Sequence, residues 1–385
     1  MSRGCPVPHV FTNVIKPTHI CNIACRYCYN EDTRAPFMTE ATLERVIEGT
    51  FAISPGSGRA ARHDFIWHGG EPLVARIPFY QKAVELQRLH AAGQTYHNTV
   101  QTNGLLIDEA WVEFFKAERF QVSISIDGPR HLNDMTRVDK RGRGTFDRLQ
   151  RSFALLRAND IKFGVCVVLT RANKDHAEEI FDFLQSERLP FNVIPLTLSG
   201  SARPNFGELG LAPEEYAEPW IRMFDRWFDS NREDYVYCSD FAFKTQAILM
   251  GRPADCIGQK VCSNHHVSTD PDGYVYPCAT LSGNPEWSYG NVNEAPLAEL
   301  IDSPVALRAR QRAVDPQCAQ CRWQHVCHGG CMQRAYKFTG DHNQRDYYCP
   351  SLFRMYEHVA ARLREDGTMD LSALPPARPA PAAHA

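Results

Sequence analysis

A chain of 385 residues with 43% hydrophobic and 23% charged side chains can build two or three domains of ordinary size and is not wholly disordered. Its formal net charge of −3 gives no basis for nucleic-acid or membrane-surface binding. No run reaches the ~18 apolar residues of a membrane helix, and the opening MSRGCPVPHVFTNVIK lacks the apolar stretch of a secretory signal, so no membrane partner and a cytoplasmic location are expected.

Up to residue 235 short apolar runs alternate with amphipathic ones. The first predicted strand, TNVIKPT, runs into CNIACRYC, and a helix is predicted over 39–53. DFIWHG follows, ending in His68-Gly69-Gly70-Glu71-Pro72, then a helix over 77–92. NTVQTNG carries Gln101-Thr102-Asn103-Gly104 and precedes a helix over 108–118. QVSISID ends in Ser125-Ile126-Asp127-Gly128, with Arg137 in the loop beyond and a helix over 145–159. FGVCVVLT holds Cys166, read as a buried thiol. The helix over 174–187 repeats Ala177, Ile180, Phe181 and Leu184 at helical spacing. FNVIPLT, the Gly- and Ser-rich loop 199–210 (a lid or a plain linker) and a helix over 213–230 complete this half. Six strands each followed by a helix predict an α/β fold with a parallel sheet, open as a partial (β/α)6 TIM-like barrel because the count falls short of eight.

In a reducing compartment, fourteen cysteines point to metal or catalytic use before disulfides. Cys21, Cys25 and Cys28 place three thiolates on one loop after the first strand, on the face where barrel sites are built. Three ligands leave one position of a [4Fe–4S] cubane open, where a structural zinc would want four. An open iron can chelate the amino and carboxylate groups of S-adenosylmethionine, whose C5′–S bond breaks when the cluster supplies an electron. Tyr27 is placed to lie near the adenine. Gly69 and Gly70 let backbone approach a ligand, and Glu71 can pair with an ammonium group. Asn103 offers an amide, Ser125 and Asp127 alternate onto one face, and Arg137 can clamp a carboxylate.

From 235 onward cysteine becomes dense, and VSTDPDGYVYPC reads as a hairpin turning at Asp-Pro-Asp-Gly. Cys256 and Cys262 precede it, Gly273 lies at its turn and Cys278 ends it, followed by Cys318, Cys321, Cys327, Cys331 and Cys349. Eight thiolates match two four-cysteine sites, which zinc or iron–sulfur clusters would satisfy equally by count. This second unit is expected to be held by metal more than by a large core. Cys5 and Cys238 stand apart as ordinary thiols, and ALPPARPAPAAHA reads as a disordered tail.

Over roughly residues 12–200 the chain resembles the radical S-adenosylmethionine (SAM) superfamily, through CX3CX2C at Cys21, Cys25 and Cys28 and GGEP at Gly69 to Pro72. The resemblance implies 5′-deoxyadenosyl radical chemistry. It assigns GGEP to the ligand's amino group, and Ser125, Asp127 and Arg137 to its ribose and carboxylate. The later pattern, CX10GX4C…CX2CX5CX3C…C, resembles the SPASM domain over about 238–355. It implies two auxiliary [4Fe–4S] clusters and so three in all. One would be held by Cys256, Cys262, Cys278 and Cys331, the other by Cys318, Cys321, Cys327 and Cys349. The domains expected are a barrel over 1–235, a SPASM domain over 236–355, and a helix end with a Pro/Ala-rich tail over 356–385.

Within that group two kinds of enzyme are similar: anaerobic sulfatase-maturating enzymes, which make formylglycine, and maturases that crosslink side chains of a precursor peptide. The former carry an acid as base directly after the cysteine corresponding to Cys278, where this chain has Ala279. The expected reaction is therefore hydrogen abstraction from a precursor side chain with carbon–carbon or carbon–heteroatom bond formation, a net two-electron oxidation. Formylglycine formation is the alternative, and a non-catalytic iron–sulfur carrier or zinc module is the reading from another class. The expected partners are a precursor peptide or protein and a flavodoxin- or ferredoxin-type electron donor. The first strand starts almost at once, so leader recognition falls to the barrel, the cysteine domain, the 199–210 loop or a separate leader-binding protein. Asp240, Asp255 and Asp270 lie near the cysteines as weak candidates for a base.

Overall fold

The computed structural model describes residues 10–30, 37–53, 62–231 and 233–368; Cys5 and the Pro/Ala-rich end from residue 369 lie outside them. Six parallel strands, β1 (Val10–Thr18), β2 (Arg62–Gly69), β3 (Thr95–Thr102), β4 (Gln121–Ser125), β5 (Phe163–Leu169) and β6 (Phe191–Pro195), pair in chain order. The helices between them are α1 (Glu40–Ala52), α2 (Arg76–His90), α3 (Glu109–Ala117), α4 (Arg130–Thr136), α5 (Phe146–Ala158) and α6 (Ala177–Ser186), with α7 (Ala202–Leu209) and α8 (Ala217–Phe228) after β6. Side chains alternate along each strand. On β2, His63, Phe65 and Trp67 are fully buried, while Ile66 and His68 on the other face are only half-buried. β5 repeats this, with Val165, Val167 and Leu169 buried and Cys166 and Val168 half-buried. One face thus packs under helices and the other lines an open interior, whereas a closed eight-stranded barrel fills its interior with side chains.

Two segments differ from the sequence reading. Residues 202–209 form helix α7, not a loop, and it packs on the cysteine loop: Asn205 donates its amide to the Arg26 carbonyl at 2.7 Å and Arg26 pairs with Glu208. Helix α4, started by Pro129, fills the stretch between Asp127 and Arg137 that reads as loop from composition.

The cysteine-rich half does not stand apart on metal alone. Its first strand, β7 (His266–Thr269), pairs parallel with β1, and β8 (Tyr274–Tyr276) and β9 (Gly290–Asn291) extend the same sheet to nine strands in the order β6-β5-β4-β3-β2-β1-β7-β8-β9. β7 therefore takes the edge of β1 that an eight-stranded barrel would use to close. One apolar core runs from Phe65 and Val100 to Val267, Trp323 and Tyr348. Helix α9 (Ser239–Met250) and the C-terminal helix Cys349–Glu365 pack against each other, and the latter also packs on α8. Beneath them the buried Lys244 ammonium donates to Asp255 at 2.6 Å and Asp240 at 3.3 Å.

Burial holds the imidazole of His266 on β7 at about 4, and the charge of His265 works in the same direction. An unfolded histidine titrates near 6.5. Between these values the unfolded chain binds the extra proton and the native one does not, so this stabilisation is present above about pH 6.5 and is lost as pH falls towards 4. A His266→Asn variant should lose less thermal stability than the parent between about pH 7 and 5 in anaerobic melting. Parallel losses would show that His266 does not titrate with unfolding.

Candidate active site

The loop after β1 carries the three cysteines, and backbone hydrogen bonds pin it from two sides. On one side Gly70 N–H donates to Thr18 O (3.0 Å) and Glu71 N–H to Ile20 O (2.9 Å). On the other, Ala24 N–H donates to Val138 O and Arg26 N–H to Thr136 O, both at 2.9 Å. The strand-end motifs thus meet because the cysteine loop is laced between two of them.

The glycines are needed for this closeness. Gly69 sits at φ +117°, and a Cβ on Gly70 would lie 2.4 Å from both the His19 and Ile20 carbonyl oxygens. Those contacts are backbone, so Gly70→Ala must push the cysteine loop away. The expected result is a folded protein whose iron falls by about four atoms per chain; full iron with unchanged S-adenosylmethionine cleavage would show that the loop can give.

Glu71 is fully buried, and its carboxylate accepts from Leu73 N–H (3.1 Å), Thr102 Oγ1 (2.6 Å) and Asn103 N–H (2.8 Å). The sequence reading gave Glu71 to a ligand's ammonium group. Here its oxygens hold the turn after β3, Oε1 through Leu73 N–H and Thr102 Oγ1 and Oε2 through Asn103 N–H. That turn aims the Asn103 amide at Asn22 Oδ1 (2.7 Å) and at Cys21 Sγ (3.8 Å).

Tyr27, Asp127 and Arg137 form one buried chain. The Tyr27 hydroxyl donates to Asp127 Oδ2 at 2.5 Å and accepts from the Arg137 guanidinium at 2.8 Å. Asp127 also accepts from Thr136 Oγ1 and Val168 N–H. Arg137, followed by the basic VDKRGRG, is only 6% exposed and its charge acts on the Cys25 and Cys28 thiols. Ser125 accepts from the Gln101 amide at 3.0 Å and stays half-buried on the interior face, while Asp127 is turned into the loop network.

Burial pushes the Cys21 thiol up to about 11 and Cys25 to about 12, with Arg137 opposing in both. Such thiols keep their protons until a cation takes their place, as metal-binding thiols do. The three half-buried cysteines, the glycine cradle and the unpartnered buried Asn22 amide nitrogen fit a cluster with a chelated ligand.

The later cysteines converge in two sets. Cys256 lies in the field of Cys262, Cys278 and Cys331, and Cys327 in that of Cys349, Cys321 and Cys318. Burial lifts Cys262 and Cys349 to about 12 and Cys318 to about 11. A single tetrahedral zinc, with Zn–S bonds of about 2.3 Å, draws its sulfurs to about 3.8 Å of one another. Among the described residues no three cysteine sulfurs all lie within 4.8 Å of each other. Cys238 is buried beside Cys166, away from both sets.

Composition did not reveal the groups that brace these sets. Arg334 donates through Nε and Nη2 to the two Asp346 oxygens, and Asp346 in turn accepts from Cys331 N–H at 2.7 Å. Their places, three residues after Cys331 and three before Cys349, were the available signal. Lys16 on β1 donates to the Ala279 carbonyl at 3.2 Å and pairs with Asp270 at 3.5 Å. Burial pulls the Lys16 ammonium below its usual range and Asp270 opposes this. Of the three carboxylates noted above, Asp240 and Asp255 are occupied by Lys244, whereas Asp270 lies beside His19 (3.7 Å) at the cysteine loop.

Residues 15–184 match the sequence model of the radical SAM superfamily, and residues 261–322 that of SPASM, an iron–sulfur cluster-binding domain. A serine-type anaerobic sulfatase-maturating enzyme of Klebsiella aerogenes is 32% identical over 367 residues, covering 93% of this chain and 87% of that protein. A cysteine-type anaerobic sulfatase-maturating enzyme of Clostridium perfringens is 27% identical over 370 residues, 91% of this chain and 96% of that one. Among solved structures, native anSMEcpe with bound AdoMet superposes with a TM-score of 0.83 at 25% identity, over 93% of this chain and 99% of the other. Streptococcus suis SuiB bound to precursor peptide SuiA shares the fold at a TM-score of 0.62 and 17% identity, over 89% and 76% of the two chains.

Proposed function

Because the chain belongs to the radical SAM superfamily, among the SPASM-bearing peptide and protein modifiers that include the anaerobic sulfatase-maturating enzymes, we propose that it oxidises a peptide side chain by two electrons and closes a crosslink from it. Cys21, Cys25 and Cys28 would hold the radical-initiating [4Fe–4S] cluster, and the two four-cysteine sets would hold two auxiliary ones. S-adenosylmethionine would lie over the Gly69–Gly70 backbone, between Asn103, Ser125 and the Tyr27–Asp127–Arg137 chain. Bound there, cluster and ligand would supply a carbon radical able to take one hydrogen atom from the substrate, and an auxiliary cluster would take the second electron.

The chain's own part is to position and to accept a proton. Asn103 and Arg137 offer donors beside the cysteine loop, and the half-buried face of β2 to β5 gives a peptide room above it. The observation that carries the crosslinking reading is Ala279, which has no acid side chain and whose carbonyl is bound by Lys16. Asp270, tied to Lys16 and His19 beside that position, is the carboxylate best placed to receive the substrate's proton. Full-length similarity to sulfatase-maturating enzymes favours formylglycine formation as the second reading. Its proton would go to the same carboxylate.

The test is to incubate anaerobically reconstituted enzyme, S-adenosylmethionine and a reductant with the short peptide encoded beside its gene, and in parallel with a sulfatase peptide. The proposal expects 5′-deoxyadenosine and a neighbour-encoded peptide lighter by two hydrogens, unreactive to hydrazides, with tandem fragmentation suppressed between the joined residues. A hydrazide-reactive sulfatase peptide beside an unchanged neighbour would replace it with formylglycine formation.

A further inference from the structure

On the exposed surface of the barrel, two helices bring three metal-competent side chains together. His131 stands on α4, His176 ends a short turn (Lys174–His176) leading into α6, and Glu179 lies in the first turn of α6. His176 and Glu179 are three residues apart and so share a helical face. The Glu179 carboxylate lies between the imidazoles, with one oxygen 2.9 Å from His176 Nδ1 and the other 3.3 Å from His131 Nε2. The two rings meet edge to face with centroids 5.8 Å apart, and one donor atom from each of the three residues lies within 4.8 Å of the others. Among the described residues this is the one such group of three.

The surroundings leave these donors to one another. Arg130 is paired with Asp147, Lys174 with Glu215 and Arg222 with Glu178, so each nearby cation already has its own carboxylate. Two imidazoles and one carboxylate offer nitrogen and oxygen donors of the kind that bind transition metals. About 3.3 Å separates neighbouring donors around a zinc ion with bonds near 2.0–2.1 Å. The two Glu179 oxygens lie 2.9 and 3.3 Å from the two imidazoles, and all three side chains are exposed and free to adjust around an ion.

We infer that His131, His176 and Glu179 form a surface site for a first-row divalent transition metal such as Zn2+ or Ni2+, separate from the iron–sulfur clusters. Two nitrogens and one oxygen select such ions over Mg2+ and Ca2+, which prefer all-oxygen shells. Three protein ligands leave the remaining positions to water. Because α4 ends one residue before Arg137, an ion joining α4 to α6 would brace the segment that carries Arg137 over the cysteine loop.

Equilibrium dialysis of Zn2+ against the anaerobic, fully iron-loaded enzyme tests this. Saturable uptake of one Zn2+ per chain is expected, with Mg2+ in excess unable to compete. His131→Ala, His176→Ala and Glu179→Gln should each weaken it by about tenfold or more without changing iron content or melting temperature in metal-free buffer. Absence of saturable uptake, or equal Zn2+ uptake by parent and variants, would overturn the site and leave a plain histidine–glutamate surface cluster.

Discussion

Replacing Cys21, Cys25 and Cys28 together by alanine is expected to abolish 5′-deoxyadenosine formation while the protein keeps about eight of about twelve iron atoms. The auxiliary sets draw all their thiols from residues 256–349, so nothing in the triad is needed to hold them. The loop itself stays anchored, because backbone groups of Thr18, Ile20, Ala24 and Arg26 make its hydrogen bonds. Removing the thiols therefore subtracts ligands and leaves the loop in place. Iron and sulfide analysis together with a chromatographic assay for 5′-deoxyadenosine reads both halves. Retained cleavage would refute the assignment of the triad. Loss of all iron would refute the independence of the auxiliary sets, and zinc in place of iron in the parent would return the eight later cysteines to the zinc reading.

The second large effect is expected at Glu71. Glu71→Ala removes the acceptor of three buried donors, Leu73 N–H, Thr102 Oγ1 and Asn103 N–H. Leaving such groups unpaired costs about 1–3 kcal/mol each. The damage is directional as well, since the freed turn carries Asn103, whose amide faces Cys21. Anaerobic melting should show a clear fall, and S-adenosylmethionine cleavage should drop more steeply than the iron content. Glu71→Gln keeps one acceptor oxygen but sets an amide N–H against a backbone N–H, so it should fall between parent and alanine variant. Normal stability with lost cleavage would instead favour a direct contact between Glu71 and the ligand.

Much of this site was legible in the chain because its signals are local. CX3CX2C needs only eight consecutive residues, and each polar motif sits at the end of an apolar run whose alternation marks a strand. Local pattern is less informative where a residue's partner is distant. Glu71 reads as a free anion until Thr102 and Asn103 are seen to surround it. Arg137 sits next to a basic, solvated-looking loop, yet lies buried because Tyr27, 110 residues away, receives its guanidinium. The stretch 199–210 looks like a linker from its glycines and serines, and becomes a helix where the cysteine loop gives Asn205 and Glu208 something to hold.

By itself the sequence determined the strand–helix alternation, the open three-thiol loop and the superfamily, because spacing and periodicity along the chain encode them directly. Only the tertiary structure decided that β7 seals the free edge of β1 and that Lys16 and Asp270 meet beside Ala279 across more than 250 residues of chain. Those outcomes depend on which distant segments share a sheet edge or a buried pocket, and no local run of residues carries that information.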